Sequence, residues 1–111
     1  MKILNQKIGK NDIFNNSEIV FDDCMVKAVV DIKRELVAVD AGLHADLEEL
    51  LLEDGSAQDN LWGINFYPED EEFIEFDSLI NIRPRQGNRS RGVEDENTRQ
   101  KIIEVVEKWI Q

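Results

Sequence analysis

Two alternating, β-branched stretches only a few residues apart constrain this chain more than any other feature. Met25-Val26-Lys27-Ala28-Val29-Val30-Asp31-Ile32 sets Val26, Ala28, Val30 and Ile32 on one face and Lys27 and Asp31 on the other. After Lys33-Arg34 the alternation resumes in Glu35-Leu36-Val37-Ala38-Val39. Strands this close must pair antiparallel, because a parallel pair needs a crossover of about a dozen residues or more. Lys-Arg lacks the Asn-Gly chemistry of two-residue turns, so a longer or bulged turn is expected.

The rest of the chain extends this hairpin. Gly42 ends the second strand, and Leu43–Glu53 reads as a helix with Leu43, Leu47, Leu50 and Leu51 on one face, stopped at Gly55. Asn60–Tyr67 reads as a strand with Trp62, Ile64 and Phe66 facing the core, ended by Pro68. Glu69–Glu72 is an acidic turn, and Phe73–Arg83 reads as a long strand with Ile74, Phe76, Ile80 and Ile82 inward. Pro84 and Gly87 place residues 84–93 in a loop. A last helix, capped by Asp95 or Asn97, carries the stripe Ile102, Ile103, Val106, Trp109 and Ile110. In residues 1–24, Ile13, Phe14, Val20 and Phe21 fall on one helical face, although Asn15-Asn16-Ser17 are poor helix formers. The expected fold is therefore α+β: one domain over 1–111, with 1–24 as a weakly helical N-terminal segment and 25–111 as a ββαββα core. Its four-stranded, mainly antiparallel sheet is expected to carry the helices on one face.

A chain of 111 residues has the length of one domain. Its longest apolar runs are far too short for a membrane span, and the N-terminus lacks the apolar stretch of a signal peptide. One cysteine, Cys24, excludes an internal disulfide and fits a reducing cytoplasm.

Charge is distributed unevenly. Residues 1–80 hold 19 acids and 6 bases, whereas 81–92 hold four arginines and no acid, within a total of −11. Four of the six arginines, Arg83, Arg85, Arg89 and Arg91, fall within nine residues. The guanidinium fork matches carboxylate and phosphate oxygens two at a time. Asn81, Asn88, Ser90 and the backbone around Gly87 add neutral donors, so Asn81, Arg83, Arg85, Asn88, Arg89, Ser90 and Arg91 form the candidate anion site. The competing reading is that these arginines neutralise carboxylates of the chain, such as Glu75 and Asp77, or Glu69–Glu72 of another molecule. Nucleic acid is disfavoured by the acidic total and by the lack of aromatic residues in this stretch.

His44, the only histidine, is the natural proton carrier. His44 with Glu48 and Asp46 makes a poor metal site, so no metal or other cofactor is expected. Placed beside the arginines, His44 would supply general acid/base chemistry next to an anion clamp of Arg83 and Arg89. As a structural group it would be a cap or a hydrogen-bond partner. Cys24 beside Asp22 and Asp23 is a poor nucleophile, and no nucleotide-binding glycine motif is present. Gly63 either permits close packing beside a core Trp62 or leaves room for a ligand next to Leu79 and Asn81.

The strings Leu43-His44-Ala45-Asp46, Leu50–Ser56, Asp59–Asn65, Ser78–Pro84 and Gly87–Ser90, with the 25–31 strand and Val93-Glu94-Asp95, resemble a family of small prokaryotic proteins known only as a domain of unknown function. The resemblance covers nearly the whole chain. It implies one intact domain and brings no catalytic residues with it. The resulting expectation is a binding module, not clearly an enzyme, that engages a small anionic ligand or an acidic protein surface through residues 81–91. A homodimer formed over an uncovered outer sheet face, near Leu36, Phe73 and Leu79, is a further expectation. The alternative is a hydrolase or transferase acting on a phosphorylated substrate.

Overall fold

The computed structural model describes all residues, 1–111. Five strands form one antiparallel sheet: β1 (Lys2–Ile3), β2 (Val26–Asp31), β3 (Leu36–Val39), β4 (Leu61–Phe66) and β5 (Ile74–Glu75), in the order β1-β3-β2-β4-β5. Two α-helices, α1 (His44–Glu53) and α2 (Glu96–Trp109), complete it.

The hairpin forms as its pattern dictates. Ala28 pairs with Val39 and Asp31 with Leu36, leaving a four-residue turn, Ile32–Glu35. Asp31 Oδ1 accepts from the backbone N–H groups of Lys33 and Arg34, both at 2.9 Å, and Glu35 takes φ +57° to close the turn. This local chemistry takes the place of an Asn-Gly pair.

The helices lie on opposite faces of the sheet, not on one. Val26, Ala28, Val30, Val37, Val39, Trp62, Ile64 and Phe66 form one face with Ile102, Val105, Val106 and Ile110 of α2. Val29, Ala38 and Leu61 form the other with Leu47 and Leu51 of α1. The physical reason is visible in β4, where all six residues are buried, and in the apolar run Ala28-Val29-Val30. Strands covered on both sides read as continuous apolar runs instead of clean alternation. Of the residues expected to be bare on the outer face, Phe73 is buried and stacked on Phe66 at 4.9 Å and Leu36 packs beside the α1 cluster, whereas Leu79 is exposed.

The N-terminal segment contains no α-helix. It adds edge strand β1, one 3-10 turn at Lys10–Asp12, and an irregular path that covers the α2 side with Leu4, Ile8, Ile13, Phe14 and Val20. Ile8 N–H and Lys10 N–H donate to the carbonyls of Trp109 and Gln111, tying the segment to the end of α2. Asp22 and Asp23 adopt left-handed φ of +51° and +57°, which no α-helix accommodates.

The long strand expected over 73–83 ends after Glu75. Beyond it the chain crosses the α1 face of β4, where Gly63 leaves a slot filled by Ser78. A Cβ on Gly63 would stand 2.5 Å from both Ser78 Cβ and Ser78 Oγ. Close packing, not space for a ligand, is what Gly63 provides. Ser78 then caps a 3-10 turn, Leu79–Asn81.

Candidate functional site

Residues 81–91 lie along the open edge of β4. Asn65 pairs with Glu75 of β5, but further along the edge β4 has no strand beside it. Side chains take over. Asn81, fully buried, accepts from Gly63 N–H at 2.8 Å and donates to Gly63 C=O at 2.9 Å and Arg91 C=O at 3.0 Å. The Arg83 guanidinium donates to the carbonyls of Leu61 and Gln58 and lies 4.1 Å from the centre of the Trp62 ring. Gln86 Nε2 donates to Asp59 C=O at 3.0 Å. The edge of β4 is thus completed by amide and guanidinium groups where a strand's backbone would otherwise serve.

The loop itself is a small hairpin. Arg83 and Asn88 bridge through their backbones, a 3-10 turn spans Pro84–Gln86, and Gly87 closes it at φ +79°. Asn88 is buried, donating to the carbonyls of Asn81, Ser90 and Gly92 and accepting from Glu94 N–H at 2.9 Å. The backbone N–H groups of Arg89 and Ser90 converge as an anion nest does, and the chain's own Glu94 occupies it, at 2.6 and 3.0 Å. Those bonds, from Arg89 first and Ser90 second, hold the Glu94 carboxyl below the usual carboxylate range.

The seven residues of the candidate site therefore divide. Asn81 and Asn88 spend their amide donors inside the fold, and the backbone N–H of Ser90 is taken by Glu94. Arg83 gives its terminal nitrogens to backbone carbonyls, and burial draws its basicity down while Glu48 and Asp59 oppose the shift. Arg91 pairs with Asp77 at 2.7 Å, one of the carboxylates the sequence marks as a neutralising partner. Arg85 and Arg89 are exposed, and their guanidinium groups make no ion pair or hydrogen bond within the chain. Gln86, Asp59 and Glu94 join this arrangement through bonds that the tertiary fold sets: Gln86 Nε2 meets the Asp59 carbonyl, and the Glu94 carboxylate meets the Arg89 and Ser90 N–H groups.

His44 opens α1 and is buried. Its Nε2 lies 2.9 Å from the Ile64 carbonyl, which can only accept, so Nε2 carries the proton. Burial lowers its pKa; the Ile64 bond opposes this, Lys27 adds to it, and Asn65 and Asp77 oppose it. His44 lines a depression with Lys27, Ser78 and Arg91, whereas Arg83 and Arg85 line a separate one with Gln58 and Asp59. The structure does not bring His44 into one cavity with Arg83 and Arg89. No group of three or more His, Cys, Asp or Glu side chains is placed to hold a metal.

A family model described as "Protein of unknown function (DUF5674)" matches residues 2–109. The chain belongs to this family. The match takes in both helices through Trp109, all five strands and the 81–91 segment, so the edge-completing loop lies within the shared region. No curated protein and no solved structure matches the chain. No helix is long and apolar enough to cross a membrane.

Proposed function

We propose that this chain is a binding module whose 83–91 hairpin presents Arg85 and Arg89 to an anionic ligand or an acidic partner surface. One observation carries the reading. In a chain of net charge −11, the other four arginines are engaged internally: Arg34 with Asp54, Arg83 with carbonyls, Arg91 with Asp77 and Arg99 with the Val93 carbonyl. Arg85 and Arg89 alone among them are left to the outside, on a loop held by Asn88 and Glu94. A rigid presentation lowers the ordering cost of binding. A second copy of this chain, offering its acidic Glu69–Glu72 turn, is the homodimeric form of the same reading. A single unpaired cysteine, Cys24, supports a reducing cytoplasm as its setting.

The reading with His44 as acid/base and Arg83 and Arg89 as clamp has weaker support, since the terminal nitrogens of Arg83 are committed to Leu61 and Gln58.

The test titrates tripolyphosphate and a tetraglutamate peptide into the protein by calorimetry at low and at physiological salt, with light scattering for oligomeric state. Salt-sensitive binding of either probe, or a dimer, that disappears in Arg85→Gln/Arg89→Gln is expected. Binding absent from the native chain, or unchanged in the double variant, overturns the proposal.

A further inference from the structure

We infer that the depression at the start of α1 is a separate site for a phosphate-sized oxyanion carrying an apolar body. It encloses about 160 Å³ and is lined by Lys27, His44, Ser78 and Arg91, with Leu43 and Leu79 at its rim. That volume admits one tetrahedral oxyanion and leaves the rest of the molecule outside.

Four kinds of donor converge there, beside the His44 ring. The His44 and Ala45 N–H groups that open α1 have no backbone acceptor, Asp46 N–H donates to the Leu43 carbonyl at 3.2 Å, and the Leu43 side chain supplies no cap. A helix start in this state attracts negative charge. Lys27 sits 5.0 Å from the Phe21 ring and makes no ion pair within the chain. Arg91 holds Asp77 through Nε and Nη2, leaving Nη1 unbonded. His44, with only 8% of its surface exposed, commits its protonated Nε2 to Ile64, so its unprotonated Nδ1 donates nothing to an anion and the ring forms a wall of the depression. Ser78, almost fully buried, accepts from Ile80 N–H and keeps its hydroxyl proton to donate.

The rim defines the rest of the ligand. Leu79 and Leu43 are exposed to 68% and 59%, among the most exposed large apolar side chains of the chain, and they flank the opening. An apolar substituent on the oxyanion would cover both, so a phosphomonoester of an apolar alcohol fits better than free phosphate. The site shares neither Arg85 nor Arg89 with the proposed hairpin function.

Inorganic phosphate and phenyl phosphate, titrated against the ¹⁵N-labelled protein by NMR, test the assignment. The sole histidine gives one set of ring signals. Saturable shifts of the His44 ring and of the His44 and Ala45 amides are expected, with phenyl phosphate the tighter ligand by several-fold. Lys27→Met and Arg91→Gln each weaken binding by about tenfold, Lys27→Arg restores it, and Leu79→Ser removes the advantage of phenyl phosphate alone. Arg85→Gln/Arg89→Gln leaves all of these shifts in place, which separates this site from the hairpin. Absence of saturation, or shifts that survive Lys27→Met in a protein with native melting, overturns the site. Equal affinity for the two ligands overturns the apolar body.

Discussion

At the scale of single residues, Asn81 is the clearest case of a side chain doing the work of backbone. Its amide presents one acceptor and two donors in the plane that a neighbouring strand's peptide would occupy, and Gly63 receives both kinds of bond. Truncation leaves the buried N–H and C=O of Gly63 without partners, each costing about 1–3 kcal/mol. Asn81→Ala is therefore expected to destabilise the protein by about 3 kcal/mol or more, read as a lower urea midpoint at unchanged slope. A loss below about 1 kcal/mol would show that water or a rearranged loop satisfies the edge equally well. The same residue illustrates a limit of sequence reading. An asparagine next to an arginine cluster signals anion recognition as readily as it signals edge completion, and only the position of Gly63 separates the two.

At the scale of elements, α1 shows how one residue of offset changes what a helix does. Leucine periodicity puts Leu43, Leu47 and Leu51 on the inner face. The helix begins at His44, however, and the buried positions are His44, Leu47 and Leu51, while Leu43 is an exposed cap. Leucine is among the poorest N-cap residues. Leu43→Asp is expected to stabilise the protein by about 1 kcal/mol in thermal or urea denaturation, through a side-chain bond to the free N–H groups of the first turn. The same substitution places a carboxylate where the proposed oxyanion sits, so it should weaken phosphate shifts while raising stability. Of the two structural roles the sequence allows His44, cap or hydrogen-bond partner, the fold selects the second, turning the ring inward to the Ile64 carbonyl 2.9 Å from its Nε2. In α2 the stripe was legible, with Asp95 capping through bonds to Thr98 N–H and Oγ1. The inward-facing Val105 was the exception, since the helix is buried over a wider arc than the sequence stripe implies.

For the whole molecule, pH links these separate features. His44 has a lowered pKa in the fold, so below its ordinary value of 6.5 the unfolded chain takes up the proton more readily. Stability from this group is complete above about pH 6.5 and is lost as pH falls through the folded value. Glu94 and Asp95 are shifted down too, by the Arg89 and Ser90 N–H groups and by Thr98 respectively. Their contributions persist above the ordinary carboxylate range and are lost in more acid solution. Two acid-destabilised steps are expected, and His44→Gln should flatten the upper one while leaving the lower. Urea midpoints measured from pH 7.5 down to pH 3 check this; an upper step that persists in His44→Gln would assign it to another group.

What the sequence by itself determined is local: the β2–β3 hairpin, the extents of α1 and α2 to within a few residues, the strand around Trp62 and the concentration of arginines at 83–91. These follow from periodicity and caps, which act between residues close in the chain. Tertiary structure alone decided that the helices cover opposite faces, that residues 1–24 form an edge strand and irregular cover, and that the expected 73–83 strand ends at Glu75. It also decided which arginines look inward. Each of these outcomes depends on a partner remote in sequence: α2 against β2, Gln111 against Lys10, Ser78 against Gly63, Asp77 against Arg91. Side-chain chemistry at such distances is fixed by which backbone groups are left unpaired once the sheet has closed, and that is a property of the assembled fold.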